Sequence, residues 1–152
     1  MTSLIQRLEA QSQAALQLMS APEEELRKNN IPGKWSAFEQ FVHIATYHET
    51  FLARIDQMIS SDAPPVFARY VGDTDPLFLS WTQRPKAEVI AYFKTQRRRL
   101  TDRLGSLSPG QVAKKGTHPR FGTFPIAGWT EFFLLHEGHH LFSLFVVLHS
   151  GN

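Results

Sequence analysis

Apolar residues recur along this chain at the three- and four-residue spacing of amphipathic helices. They do so in four long stretches, and no run alternates apolar and polar residues in the way that would require a β-sheet. The pattern predicts helices over about residues 2–19, 36–60 and 85–105, and a last helix that begins within residues 125–128. We therefore expect an all-α fold, a four-helix bundle.

Capping and breaking signals delimit the predicted helices. Ser36 with Glu39 three residues later matches a capping box at the start of the second helix. Pro85 suits the first turn of the third helix, and Gly105 suits its end. Residues 61–84, rich in proline and glycine, form a long crossover between helices 2 and 3. Such a crossover allows the helices to follow an order other than simple up-and-down.

Composition limits the kinds of chemistry that the chain can perform by itself. With 152 residues we expect a single domain, 1–152, that is large enough to bury its own core. The absence of cysteine excludes disulfides, thiolate zinc sites and a catalytic thiol. Imidazole and carboxylate groups are the remaining strong metal ligands.

Charge and hydropathy limit the expected partners. The chain has 16 Lys and Arg residues and 14 Asp and Glu residues, so its positive and negative charges nearly balance. Proteins that bind nucleic acid usually carry a larger excess of basic residues, so we expect no nucleic-acid partner. The amino terminus carries charge where a signal peptide would need an apolar run, and no apolar stretch is long enough for a membrane span. We expect a cytoplasmic protein with no membrane partner.

The strongest candidate chemistry lies in the predicted last helix, where three histidines and a glutamate interrupt an apolar stretch. His136 and His140 are four residues apart, so they lie one above the other on one face of a helix and can share a metal ion. His139 is rotated away from this pair.

The same segment contains the string His-Glu-Gly-His-His, which matches the H-E-x-x-H helix of zinc proteases. Metzincin sites need Gly and His further along, but Ser143 and Val146 stand at those offsets. A helical bundle also offers no edge strand to a peptide substrate. These points argue against a protease, and a third side-chain ligand is expected upstream.

His43 and His48, both on the predicted second helix, are the candidates for this third ligand. A helix advances about 100° per residue. His48 then falls near the centre of the apolar stripe, whereas His43 falls at its edge. Periodicity alone favours His48.

The opening Trp35-Ser36 of the second helix, the histidine eight residues after that Trp, and the His-x-x-x-His pair of the last helix resemble the DinB/YfiT-like superfamily. Its members are four-helix bundles whose three histidines bind a divalent metal, usually nickel or zinc. The resemblance implies His43, His136 and His140 as the ligands. The superfamily includes transferases and isomerases that use low-molecular-weight thiols such as bacillithiol and mycothiol. It also includes members assigned as metal-dependent hydrolases.

Four further residues are weaker candidates for a role in the site. Glu137 beside the first ligand could act as a general base, and His48 could support the ligands or the chemistry. Lys115 and Arg120, in the loop before the last helix, could hold an anionic substrate or a thiol cofactor. The run Arg97-Arg98-Arg99 is expected to face solvent.

Three imidazoles leave a metal ion with open positions, as in catalytic sites. Such an ion can lower the pKa of water or of an incoming thiol. We expect a metal-dependent thiol transferase acting on a small molecule, with a metal-dependent hydrolase as the alternative. A non-catalytic, metal-stabilised dimer is the alternative of another class. The 12 phenylalanines give apolar surface to spare, so a homodimer is expected.

Overall fold

The computed structural model describes residues 1–150, and it confirms the helical bundle. In chain order the helices are α1 (Thr2–Leu18), α2 (Glu23–Arg27), α3 (Ala37–Ser60), α4 (Pro76–Thr82), α5 (Lys86–Gly105), α6 (Pro109–Val112) and α7 (Ile126–His149). The bundle consists of the four long helices α1, α3, α5 and α7. Helices α1 and α3 each pack against both α5 and α7, which places α1 diagonally opposite α3. Simple up-and-down bundles instead place consecutive helices side by side.

The start of α3 follows from its capping residues. The Ser36 hydroxyl accepts a hydrogen bond from the Glu39 N–H at 3.2 Å, and the Glu39 carboxylate accepts one from the Ser36 N–H at 2.7 Å. This reciprocal capping box satisfies backbone donors that the first helical turn leaves unpaired. It thereby fixes the residue at which α3 begins.

Aromatic side chains fill much of the interior. Phe41 of α3 contacts Phe93 of α5 with ring centroids 5.0 Å apart, and Phe51 of α3 stacks on Phe133 of α7 at 4.6 Å. All four rings are fully or almost fully buried, and burial of this kind is the main favourable contribution to folding. No helix in the described part of the chain combines the length and apolarity that crossing a lipid bilayer requires.

The crossover of residues 61–84 contains short helical segments of its own. A 3-10 turn spans Gly72–Thr74 and leads into α4, whose start is capped by Asp75, a carboxylate that accepts from the Leu77 N–H at 3.0 Å. Tyr70 donates its hydroxyl to the same Asp75 carboxylate at 2.7 Å. These bonds fix the local conformation of the crossover, and α4 packs against α3.

The sequence pattern did not predict a short β-hairpin before α7. Strands β1 (Lys115–His118) and β2 (Gly122–Pro125) pair antiparallel. Each strand has only four residues, too few to show an alternating pattern. The hairpin turn ends at Gly122, whose φ of +96° favours glycine. The hairpin is tied to the crossover, because the Thr117 N–H donates to the Pro65 carbonyl at 2.8 Å.

A substitution at Gly116 of β1 tests how tightly the hairpin packs on the bundle. A Cβ atom there would lie 2.5 Å from Phe67 Cε2 and 2.8 Å from Met58 Sδ, so Gly116→Ala should lower the free energy of unfolding by about 1–3 kcal/mol. Urea unfolding measures this change. Gly110→Ala is the matched control, because no atom lies within 4 Å of its added Cβ. Equal stability of the two variants would contradict the packing.

Candidate metal centre

Three histidine side chains converge between α3 and α7. His43 Nε2 lies 3.4 Å from His136 Nε2, which lies 3.2 Å from His140 Nε2. One ring nitrogen from each residue lies within 4.8 Å of the other two. Two nitrogens bound at about 2.0–2.1 Å to one tetrahedral zinc ion are about 3.3 Å apart. The trio is therefore spaced as three ligands of a single divalent ion would be.

The trio is desolvated unequally. His43 is buried, with 3% of its surface exposed, whereas His136 and His140 are half-buried. The His43 ring packs against Trp35 and Tyr70, at centroid distances of 5.1 Å and 5.6 Å. His43 Nδ1 has no hydrogen-bond partner in residues 1–150, so packing holds this ring in place. Any small molecule must approach the centre from the His136 or His140 side.

Burial keeps the three imidazoles neutral. Desolvation, with a smaller contribution from His136, lowers the pKa of His43 from an ordinary value of 6.5 to about 3. Desolvation is also the largest cause that lowers the pKa of His136 to about 4 and that of His140 to about 2. Smaller contributions come from His139 and Arg54 for His136, and from the neighbouring histidines for His140. Neutral imidazole is the form that binds metal, so the trio is in its ligand form at neutral pH.

Gln40, which sequence reasoning missed, sets the tautomer of one ligand. His140 Nδ1 donates to Gln40 Oε1 at 2.7 Å, so the lone pair of that ring lies on Nε2, which faces the trio. A hydrogen bond of this kind orients a ligand histidine and raises its basicity. The available signal was spacing: Gln40 and His43 are three residues apart on α3 and so share a face.

The crossover covers the buried side of the trio. Trp35 Nε1 donates to the Asp73 carboxylate at 2.9 Å, which ties the crossover to the start of α3. A Cβ atom on Gly72 would lie 2.7 Å from the Trp35 ring and 3.1 Å from His43 Nδ1. The backbone at Gly72 therefore seals His43 from solvent at close range.

His48 lies in the core and does not reach the trio. Its Nδ1 donates to the Ile44 carbonyl at 2.8 Å, and its ring meets Phe93 and Phe133 edge-on. It is fully buried. Periodicity correctly placed His48 at the centre of the apolar face, but the histidines converge nearer the edge of that face, where His43 stands.

Glu137 faces away from the trio. It is 1% exposed, and its carboxylate pairs with the guanidinium of Arg97 on α5. The ion pair gives Glu137 a structural role and does not place its carboxylate as a base beside His136.

The expectation that residues 97–99 all face solvent is wrong for Arg97, which is 5% exposed, whereas Arg98 and Arg99 are exposed. His139 is exposed and lies outside the trio, as expected.

Two cavities border the trio, one of about 280 Å³ at His140 and Gln40 and a second at His136. The second cavity lies beside the hairpin turn. It has a volume of about 290 Å³ and is lined by His136 from α7, by Tyr47 from α3 and by Tyr70 from the crossover. Arg120, one of the two basic candidates, lines it as well, whereas Lys115 lies on β1 outside it. The arrangement can hold a divalent ion at three neutral imidazoles, with a space beside it for a small molecule.

Removing one member of the buried Arg97–Glu137 ion pair should destabilise the fold much more than removing both. Arg97→Met leaves the Glu137 carboxylate buried without a counter-ion, so we expect a loss of about 3–5 kcal/mol in the free energy of unfolding. The double variant Arg97→Met/Glu137→Met should recover most of this loss, since neither charge then remains buried. Urea unfolding at neutral pH measures both variants, and a double variant less stable than Arg97→Met would contradict the pairing.

Comparison with known proteins agrees with this architecture. A family model described as the DinB superfamily matches residues 5–142. YfiT from Bacillus subtilis, described as "a probable metal-dependent hydrolase with an unusual four-helix bundle topology", has a TM-score of 0.77 and 17% identity over 96% of this chain and 84% of its own. TT2238, described as a four-helix bundle protein, has a TM-score of 0.68 and 22% identity over 94% of this chain and 96% of its own. A sequence search of the curated proteins found no match. The chain belongs to the DinB superfamily.

Proposed function

We propose that this protein is a metal-dependent enzyme of thiol transferase type. It holds a divalent ion, nickel or zinc, with His43, His136 and His140, and activates a small-molecule thiol for transfer. The observation that carries the proposal is the convergence of three neutral imidazole nitrogens beside a cavity. The description of YfiT as metal-dependent supports the same reading of the centre.

A divalent ion at this position would act as a Lewis acid and lower the pKa of a thiol or of water. Residues around the three histidines position and shield these ligands. Gln40 presents the Nε2 lone pair of His140, and Trp35 together with Gly72 keeps water from His43. His136 borders the cavity, so a molecule in the cavity meets the centre at that residue.

In the transferase reaction, the thiol must come from outside, because the chain contains no cysteine. The thiol loses its proton to solvent, and its sulfur forms a bond to an electrophilic carbon of the second substrate. The leaving group on that carbon departs with its bonding electron pair. The half-buried site reduces competition from bulk water for the same electrophile.

A metal-dependent hydrolase is the second candidate, and the description of YfiT favours it. The same three histidines would serve, with water in place of the thiol as the nucleophile. The transferase consumes a thiol, whereas the hydrolase consumes water, so substrate assays separate the two candidates.

The expected homodimer and the cytoplasmic location remain predictions. Exposed apolar side chains on α7, namely Leu135, Phe142 and Phe145, are the surface that a second copy would cover. Pairing of this kind is also the basis of the non-catalytic alternative, in which the ion only stabilises a dimeric bundle.

Metal content tests the centre. His43→Ala and His140→Ala should each lose most of the bound nickel or zinc, because two imidazoles bind such ions far more weakly than three. His139→Ala is the matched control: it is next to a ligand but exposed and outside the trio, so its metal content should equal that of the parent. Elemental analysis after reconstitution measures all four proteins. Equal metal in all of them would contradict the assignment.

Activity and assembly then separate the candidates. The metal-loaded protein should transfer a small thiol to a chromogenic aryl halide and leave a nitrophenyl ester intact. Ester hydrolysis without thiol transfer would favour the hydrolase. Neither activity, together with a lower Tm and a halved molar mass in light scattering after metal removal, would favour the non-catalytic dimer.

A further inference from the structure

The cavity beside His136 carries an unusual charge. Arg54 from α3, Arg69 from the crossover and Arg120 from the hairpin turn all line it, and no carboxylate does. Three separate segments of the chain therefore each bring a guanidinium to a space of about 290 Å³. A cleft lined by one sign of charge concentrates ligands of the opposite sign.

These arginines differ from the others in the chain. Of ten arginines, six form ion pairs with carboxylates: Arg7, Arg27, Arg84, Arg97, Arg99 and Arg103. Within residues 1–150, the other four have no carboxylate at salt-bridge distance, and three of these four line this one cavity. The fourth, Arg98, is exposed on α5.

Arg54 is buried as well as unpaired with any carboxylate. It is 8% exposed, and its guanidinium donates to the Tyr47 hydroxyl and to the Ala68 carbonyl, both at 2.9 Å. These neutral acceptors orient the guanidinium but do not neutralise it. A buried charge without a counter-ion is costly, and an anion that reaches it recovers part of that cost.

His118 also lines this cavity. His118 Nδ1 accepts from the backbone N–H groups of Arg120 and Phe121, at 3.1 Å and 3.2 Å. In the neutral ring the proton is then on Nε2, which is free to donate. His118 lines the cavity together with the guanidinium groups of Arg54, Arg69 and Arg120.

Aromatic rings form much of the remaining wall. The rings of Tyr47, Tyr70, Phe121 and Phe132 line the cavity, and Phe121 stacks on His118 at a centroid distance of 4.6 Å. Aromatic walls favour a flat, unsaturated body. A volume of about 290 Å³ accommodates on the order of ten non-hydrogen atoms, given about 30 Å³ for each water-sized group.

We propose that this cavity binds a small aromatic or unsaturated carboxylate, with the carboxylate on the arginine cluster and the flat body between the rings. One end of the molecule then lies against His136. As the substrate of the reaction proposed above, on which this part of the inference rests, it would be an acidic molecule whose reactive carbon faces the histidine trio. Binding of the carboxylate itself depends on Arg54, Arg69 and Arg120, and not on a metal ion.

Calorimetric titration of the metal-free protein with benzoate tests the proposal. Benzoate should bind at millimolar concentrations, and its neutral analogue benzamide should bind at least about tenfold more weakly, because charge-assisted hydrogen bonds are the stronger kind. Added salt should weaken the binding of benzoate. Equal binding of the two compounds, or no binding of benzoate, would overturn the proposal.

Variants locate the binding. Arg69→Gln and Arg120→Gln should each weaken benzoate binding about tenfold, and because both residues are exposed their loss should leave the fold intact. Arg98→Gln is the matched control, an exposed arginine without a carboxylate partner that lies outside this cavity. Arg54 is left unchanged, since it holds Tyr47 and Ala68 in place. Benzoate binding that is the same in all three variants would overturn the assignment to this cavity.

Two readouts keep this proposal separate from the proposed function. A protein that binds benzoate but no metal would support the cavity and contradict the enzyme. A protein that binds metal but not benzoate would contradict the cavity alone. Inorganic phosphate that competes as strongly as benzoate would overturn the assignment of a flat organic body.

Discussion

Desolvation of three imidazoles at the contact between α3 and α7 is the constraint on which the rest of this structure depends. A buried polar ring is stable only when it stays neutral and its nitrogens find partners. Here burial lowers the pKa of all three rings and so keeps them neutral at physiological pH. Nε2 of His136 lies 3.4 Å from that of His43 and 3.2 Å from that of His140, so one shared ion would satisfy all three lone pairs at once. Without such an ion, the packing of α3 on α7 leaves those lone pairs poorly satisfied.

The unusual helix order places the rest of the chain around this contact. Helices α3 and α5 are neighbours that run parallel, since Gln96 pairs with Glu49 and Arg103 pairs with Asp56 further along both helices. The chain must therefore return along the bundle between them, and this crossover covers His43 with Gly72 and Tyr70. The hairpin before α7 then closes the other side and brings Arg120 to the cavity. The crossover and the hairpin also hydrogen-bond to each other. The two segments that sequence patterns describe least well are thus the ones that shape the entrance to the centre.

Local signals in the sequence were sufficient for the long helices, because capping residues and apolar spacing act over a few residues. The capping box at Ser36 and the i, i+4 pair on α7 are of this kind. Choosing between His43 and His48 required more, since both are buried on α3 and only the packing against α7 separates them. Gln40, the buried Arg97–Glu137 pair and the arginine cluster depend on contacts between distant segments. No periodic pattern encodes such contacts, and a run of three arginines gave no sign that its first member turns inward.

X-ray absorption spectroscopy of the zinc-loaded protein tests the central claim most directly, because it counts the imidazole ligands around the ion. The structure predicts three histidine nitrogens at about 2.0–2.1 Å. Fewer than three imidazoles would contradict the convergence of His43, His136 and His140. Four imidazoles would contradict an open centre, because a closed set of ligands leaves no position for a substrate.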